Sequence, residues 1–155
     1  MKVVFLDIDG VLNYTKWYID PKRTKVSGHE DDIDPECIKR VSRICDLADA
    51  KIVVSSDWRL DWEMTKRRLT NAGLDLSLIL DKTPEFIWRT GDDYEYTRGD
   101  EINEWLRLNH VKGYAVLDDR TDFTKEQEHH LVHINPYVGL TDGDVKITVD
   151  ILNKQ

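Results

Sequence analysis

Long hydrophobic runs are missing from this sequence. A helix that crosses a bilayer needs ~20 consecutive apolar residues, and the apolar runs here are only a few residues long. The first residues also lack the charged, apolar and small-residue regions of a signal peptide. These absences argue against contact with a membrane and predict a cytoplasmic location.

Cysteine is scarce, since the chain has only Cys37 and Cys45. The two form no C-x-x-C pair, and no histidine is spaced from them as a zinc ligand would be. They lie eight positions apart on a predicted helix, so both side chains can face the core. We therefore expect two free, buried thiols in a protein of a reducing compartment.

Basic residues are too few to balance the acidic ones: 22 Lys and Arg stand against 30 Asp and Glu, a formal net charge of -8. Such a protein has no general attraction for nucleic acid, so a nucleic-acid contact requires a local patch. The surplus of carboxylates suits a protein that holds a divalent cation. With 155 residues and 40% hydrophobic content, the chain is expected to form one domain over residues 1–155.

The most informative stretch is at the start of the chain. Residues 3–6 are an unbroken apolar run, which predicts a strand buried on both faces, and the run ends at Asp7-Ile8-Asp9-Gly10. Two carboxylates therefore stand at the carboxyl end of a buried strand, where open α/β sheets bind their ligands. The pattern fits a catalytic pair, and it also fits an acidic turn or a fragment of a calcium loop.

Strand and helix patterns alternate along the rest of the chain. Further strands are predicted at 51–54, 76–80, 114–117 and 131–134, and helices begin near 34, 61, 99 and 141. Residues 14–33 are predicted as a loop or small hairpin, and 85–97 as a loop. The alternation predicts an α/β fold, a Rossmann-like doubly wound parallel sheet with helices on both faces.

Polar residues also follow two of the later strands. Ser55 and Ser56 come directly after the strand at 51–54, at a place that suits either an anion or a simple helix cap. Asp118 and Asp119 follow the strand at 114–117. Adjacent carboxylates at the end of a buried strand repel each other, and a cation such as Mg²⁺ removes that cost.

Three stretches resemble motifs of one superfamily. DIDGVLN at 7–13 resembles the first motif of the haloacid dehalogenase (HAD) superfamily. S-x-x-W-R at 55–59 resembles the second motif of a small, mostly capless HAD group associated with RNA-repair proteins. DDRT at 118–121 resembles the last motif of the phosphatase half of phage-type polynucleotide kinase/phosphatases. The resemblance covers nearly the whole chain.

The resemblance implies a role for each anchor residue. Asp7 would be the nucleophile that forms an aspartyl-phosphate, and Asp9 the general acid and base. Ser55 would hydrogen-bond a phosphate oxygen, with Ser56 as the alternative donor. Arg98 would supply the cation of the third motif, where the family usually has lysine; Lys82 is the rival candidate.

The resemblance also implies a magnesium site and a phosphatase activity. Its ligands would be Asp7, the Asp9 carbonyl, and one of Asp118 and Asp119, with Asp122 in support. The expected function is a Mg²⁺-dependent phosphomonoesterase that acts on a nucleotide or a polynucleotide 3′-end. A phosphatase of a small metabolite and a non-catalytic HAD-like binding module are the alternatives.

The substrate expectation rests on the segments around the site. About 20 residues separate the first strand from its helix and about 38 separate Arg59 from Arg98, so neither gap holds a large cap. Aromatic and basic residues are frequent in these gaps, a pattern that favours single-stranded nucleic-acid ends but also suits a solvated loop. They are Tyr14, Trp17, Tyr18, Lys22, Arg23, Lys25, Trp88 and Arg89.

Overall fold

The structure is a computed structural model that describes residues 1–21, 23, 32–86 and 96–154. A parallel sheet lies at the centre of these residues. Its spatial order is β3-β2-β1-β4-β5, and every neighbouring pair is parallel. The strands are β1 (Lys2–Leu6), β2 (Ala50–Val54), β3 (Ile79–Lys82), β4 (Gly113–Asp118) and β5 (Leu131–His133).

Helices connect the strands, and local signals set where the longer ones begin. They are α1 (Thr15–Ile19), α2 (Pro35–Ala48), α3 (Trp62–Asn71), α4 (Arg98–Leu108) and α5 (Asp142–Asn153). Asp34 caps α2 through the Glu36 amide, with Pro35 at the first helical position. Thr97 and Thr141 open α4 and α5 with capping boxes, in which the side chain three residues on bonds back to the cap.

Apolar side chains leave β1 alternately toward two cores, one on each face of the sheet. Val4 and Leu6 join the larger cluster, to which α2, α3 and α5 contribute. Val3 and Phe5 join the smaller cluster under α4, where the Phe5 ring meets the Trp105 ring edge-on with centroids 5.4 Å apart. Helices therefore cover both faces, and the predicted doubly wound fold is confirmed.

Two predicted elements need correction. The segment at 14–33, predicted as a loop or small hairpin, contains α1, whose first amides at Thr15 and Lys16 donate to the Pro136 and Tyr137 carbonyls (3.1 and 3.0 Å). The strand predicted at 76–80 lies instead at Ile79–Lys82. Asp75 caps a 3-10 turn over Leu76–Leu78, so the first residues of the predicted strand belong to that turn. Most of the loop predicted at 85–97 lies outside the described residues.

The strand order reverses beside β1. The chain builds β2 and β3 on one side of β1, then β4 and β5 on the other. Hydrogen bonds continue past the strand ends, since the Asp7 amide donates to Leu117 O and the Ser55 amide to Leu6 O, both at 3.0 Å. The crevice outside the carboxyl ends of β1 and β4 is thus the place where this type of sheet binds ligands.

Both cysteines lie on α2 in the larger core. Cys37 and Cys45 are buried and free, as predicted.

The described helices include none that is both long and apolar enough to span a membrane.

Candidate active site

Three carboxylates meet at the crevice between β1 and β4. Asp7 follows β1, Asp118 ends β4, and Asp119 comes next. One oxygen of each lies within 4.8 Å of the others. Asp7 and Asp118 are buried, whereas Asp119 is half-buried and its carbonyl is held by His133 Nε2 at 2.9 Å. The adjacent strands therefore gather acids that the sequence separates widely.

Arg98 is the counter-charge of this cluster. It is the first residue of α4, and only 7% of it is exposed. Its Nη1 lies 2.6 Å from Asp7 Oδ1 and 3.1 Å from Asp118 Oδ2, and its Nη2 lies 3.4 Å from Asp57 Oδ1. The Thr97 capping box fixes the start of α4 and so aims the guanidinium at the acids.

The buried charges shift one another's protonation. Burial raises the pKa of the Asp7 carboxyl, although the positive charge of Arg98 acts the other way. Burial and the charge of Asp7 raise the pKa of Asp118 to about 7. Burial lowers the pKa of the Arg98 guanidinium, but the charges of Asp7 and Asp118 outweigh it and the net shift is upward. One arginine leaves negative charge in excess, so the donor set suits Mg²⁺, which favours carboxylate oxygens.

Asp9 stands apart, at the exposed mouth of the site. Its Oδ1 accepts from Asn13 Nδ2 at 2.8 Å, and its Oδ2 accepts from Trp58 Nε1 at 3.0 Å. Among the described residues, the acidic cluster does not include the Asp9 carboxylate. The structure therefore separates the Asp9 carboxylate from the other three acids.

Gly10 closes the turn beneath Asp9. Its φ is +80°, and its amide donates to Asn13 Oδ1 at 3.0 Å. A Cβ at this position would overlap the Asp119 carboxylate, so the backbone approaches that side chain closely. The turn thus depends on glycine for both conformation and space.

The two serines after β2 differ in what they bond. The Ser55 hydroxyl is fully buried and has no hydrogen-bond partner in the described structure. The Ser56 hydroxyl bonds Asp7 and accepts from the Trp58 amide at 3.4 Å. Ser55 is therefore the one with unused hydrogen-bonding capacity, while Ser56 orients Asp7 and caps the 3-10 turn at Asp57–Leu60.

Arg59 and Lys82 hold the turn after β2 in place through hydrogen bonds. Arg59 Nη1 donates to the Ser55 and Ser56 carbonyls (3.3 and 3.0 Å), and Nη2 bonds Glu101 Oε1 at 2.5 Å. Lys82 Nζ donates to the Arg59 carbonyl at 3.1 Å. Of the two candidate third-motif cations, Arg98 is the one that the structure brings to Asp7. Asp122 pairs with Arg120 (2.8 Å) instead of joining the cluster.

Part of the aromatic and basic group lies along α1. Arg23 lies over the Trp17 and Tyr18 rings, 5.2 and 5.0 Å from their centroids, and its guanidinium reaches Asp32 at 4.0 Å. Tyr14 donates to Asp34 Oδ2 at 2.6 Å and so supports the cap of α2. The other members lie outside the described residues: Lys22, Lys25, Trp88 and Arg89.

Four residues of the site had no functional prediction from the sequence. Trp58 and Asn13 bond Asp9, and Asp57 and Glu101 bond the two buried arginines. Trp58 lies in the motif at 55–59 and Asn13 in the motif at 7–13, so the motifs were the available signal for both residues. A motif does not reveal which side chains contact each other in the fold.

The comparisons with known proteins agree with this geometry. A family model described as "HAD domain in Swiss Army Knife RNA repair proteins" matches residues 3–145. No curated protein and no solved structure gave a significant match. A HAD domain supports hydrolase chemistry of the phosphatase type in general terms, and the match covers most of the chain. The chain therefore belongs to the family of HAD domains found in Swiss Army Knife RNA repair proteins.

Proposed function

We propose that the protein is a Mg²⁺-dependent phosphomonoesterase that acts on a nucleotide or on a phosphorylated polynucleotide end. The observation that carries the proposal is Asp7, which contacts Arg98 and shares a 4.8 Å cluster with Asp118 and Asp119. A nucleophile, a cation and a candidate metal site thus meet at one strand end, with Asp9 at the mouth.

In the first step, a carboxylate oxygen of Asp7 attacks phosphorus. The bond from phosphorus to the leaving oxygen breaks as the bond to Asp7 forms, and Asp9 gives its proton to the leaving oxygen. Arg98 contacts Asp7 and is placed to stabilise charge on both the nucleophile and the phosphoryl group. Ser55 offers its unpartnered hydroxyl to a phosphate oxygen.

In the second step, water hydrolyses the aspartyl-phosphate. Asp9, now a carboxylate, takes a proton from the water, and the water oxygen attacks phosphorus and frees Asp7. Mg²⁺ held by Asp7, Asp118, Asp119 and the Asp9 carbonyl would neutralise charge on the phosphoryl oxygens. Phosphate leaves, and both aspartates return to their starting protonation.

Two features support a nucleotide or nucleic-acid substrate. The family name refers to RNA-repair proteins. Tyr18, 45% exposed, lies on α1, which begins two residues after Asn13, a partner of Asp9. Its exposed ring can stack on a base. One observation favours a small phosphorylated metabolite as the substrate. Arg23 pairs with Asp32 and lies over two aromatic rings, so its charge adds little attraction for a long polyanion.

The test is phosphate release from a panel of substrates with and without Mg²⁺. The panel contains 3′- and 5′-phosphorylated RNA oligonucleotides, 3′- and 5′-nucleotides, and sugar phosphates. Asp7→Asn is expected to abolish release, whereas Asp46→Asn, an exposed site on α2, is the matched control with full activity. Preference for sugar phosphates would favour the metabolite reading, and absence of turnover on every substrate would favour a binding module.

Mg²⁺ binding can be measured apart from turnover. A ligand that binds only the folded state stabilises it by about 2.7 kcal/mol at one hundred times its dissociation constant. We expect Mg²⁺ to raise the melting temperature of the wild type but not that of Asp118→Asn, since Asp118 belongs to the cluster. A control at matched ionic strength with Na⁺ separates binding from screening.

A further inference from the structure

Trp58 makes a contact that the proposed reaction has not used. Its indole Nε1–H donates to Asp9 Oδ2 at 3.0 Å, while Asn13 occupies the other oxygen of the same carboxylate. Both oxygens of Asp9 are therefore tied to fixed donors, although the residue itself is exposed. An exposed carboxylate without such ties samples several rotamers, so these two bonds select one orientation.

Both the backbone and the ring of Trp58 are held by neighbouring groups. The Trp58 amide donates to Ser56 Oγ at 3.4 Å, and its carbonyl accepts from the buried Thr65 hydroxyl at 2.5 Å. The guanidinium of Arg68 lies 5.0 Å from the ring centroid and is anchored to Asp32 at 3.1 Å. The backbone bonds fix the main chain of Trp58, and a ring that turned away from Asp9 would lose the Arg68 contact and its packing against the larger core, so the indole is held as a donor.

The chemistry of indole suits a partner of a general acid. Asp9 has to hold a proton in one step and lack it in the next. Indole Nε1–H is a donor only, so it never competes for that proton and it can remain bonded in both states. A histidine or lysine at the same place would exchange protons with Asp9 instead.

We propose that Trp58 is a positioning residue that holds Asp9 in the orientation from which it protonates the leaving oxygen. The proposal rests on the proposed phosphatase function. It predicts that loss of the indole N–H slows reactions in which the leaving oxygen needs a proton and spares reactions in which it does not.

A purely structural role for Trp58 has to be separated from positioning, because its ring also packs against the larger core. Trp58→Phe retains an aromatic ring and removes the N–H. Trp62→Phe is the matched control: Trp62 packs against the same core, and its ring meets Lys66 and Lys82 rather than Asp9. Melting temperatures close to that of the wild type in both variants would show that ring packing is retained at both positions.

The contact itself is tested first, by the indole N–H signals in a ¹H–¹⁵N spectrum. Trp58→Phe identifies the Trp58 signal by its disappearance. Asp9→Ala is expected to shift that signal and to leave the Trp105 signal in place, since Trp105 Nε1 donates to Asp81 at 2.7 Å. A Trp58 signal that does not respond to Asp9→Ala would overturn the proposal.

The role is then tested by the leaving group. p-Nitrophenyl phosphate has a stabilised leaving group, whereas a nucleoside 3′-phosphate must expel a sugar alcohol that needs a proton. A displaced general acid costs up to about 100-fold, so Trp58→Phe is expected to lower kcat about 10- to 100-fold on the nucleoside phosphate. On p-nitrophenyl phosphate the change should stay below about threefold, because acid catalysis supplies little there.

The remaining outcomes separate the two proposals. Suppose that Asp9→Ala shows the leaving-group effect. The positioning role is then overturned if Trp58→Phe loses activity equally on both substrates, or on neither. If Asp9→Ala shows no such effect, the general-acid assignment fails. If the wild type hydrolyses neither substrate, the phosphatase proposal fails and the positioning role falls with it, whatever the spectrum shows.

Discussion

Two buried arginines mark two regions of this molecule that differ in their balance of charge. Arg98 faces three clustered carboxylates, and negative charge remains in excess around it. Arg59 faces backbone carbonyls and Glu101, its 2.5 Å partner. Asp57 touches both arginines, at 3.4 and 3.3 Å, so the regions adjoin.

The difference indicates what each region is for. The region around Arg59 pairs its groups and holds the turn after β2 in place. The region around Arg98 keeps more buried acids than its one arginine balances, a cost that the proposed metal ion would reduce. The first region supports the turn, and the second is where we propose that the chemistry occurs.

The largest effect is expected from Arg98→Met on turnover. Removal of one preorganised electrostatic contact to a transition state costs about 10²- to 10³-fold in kcat, and Arg98 touches the proposed nucleophile. Initial rates at saturating Mg²⁺ measure this loss. Arg107→Met, an exposed arginine of the same helix that pairs with Glu104, is the control and should retain full activity.

Arg59→Met is expected to act on stability. Breaking a buried ion pair costs about 3–5 kcal/mol, because the remaining partner, here Glu101, is left uncompensated. Urea denaturation measures the free energy of unfolding with and without Mg²⁺.

The stabilities of the two arginine variants should respond differently to Mg²⁺. A metal can replace the charge lost in Arg98→Met, since the three carboxylates remain, and it should restore much of the lost stability. Within the described part of the chain, Glu101 belongs to no acidic cluster that could hold a metal, so Mg²⁺ should not rescue Arg59→Met. Equal rescue of both variants would erase the distinction between the regions.

Gly10→Ala sharpens the comparison at the border of the acidic region. A positive φ and an overlap with Asp119 both oppose a Cβ there, so we expect a loss of about 1–3 kcal/mol. Gly73→Ala is the control, since Gly73 also has a positive φ (+105°) but no atom near its Cβ position. If the two variants lose the same stability in thermal denaturation, the close approach to Asp119 carries no cost.

The last prediction concerns the cysteines, which lie in the larger core and away from the acidic cluster. Burial raises the pKa of the Cys37 and Cys45 thiols to about 12, well above the usual range of a thiol. At pH 8.5 the folded state therefore holds about 10³-fold less thiolate than the unfolded state, and reaction with iodoacetamide should be slower by that factor. Rates in buffer and in urea measure the ratio, and rapid labelling of the native protein would contradict it.

Local signals explain how much of the fold was predictable. Apolar runs and caps such as Asp34 and Thr141 set the longer elements to within about a residue or two, and strand ends predicted where the acids would meet. Helix α1 was missed because its first amides bond the segment after β5, far away in the chain. The β3 strand was misplaced because a polar cap, Asp75, outweighed the apolar run that follows it.

The candidate site was predictable only as a set of residues. Alternation and topology predict that Asp7 and Asp118 converge, but not which partner each side chain takes. The Trp58–Asp9 bond spans 49 positions and the Arg59–Glu101 bond spans 42, so neither leaves a periodic trace in the sequence. Arg59 bonds the Ser55 and Ser56 carbonyls, a structural role that the S-x-x-W-R motif alone does not reveal.

The central place of β1 also has a consequence for the order of events in folding. Lys2 pairs with Ala50 on one side and with Gly113 on the other, so the second pairing must close a loop that contains most of the chain. Until β4 arrives, Asp7 remains a hydrated carboxylate without Arg98 or Asp118 beside it. A ribosome therefore releases well over half of this chain before the acidic cluster can exist, and, if the proposed activity is correct, turnover by a nascent chain would report that the sheet has closed.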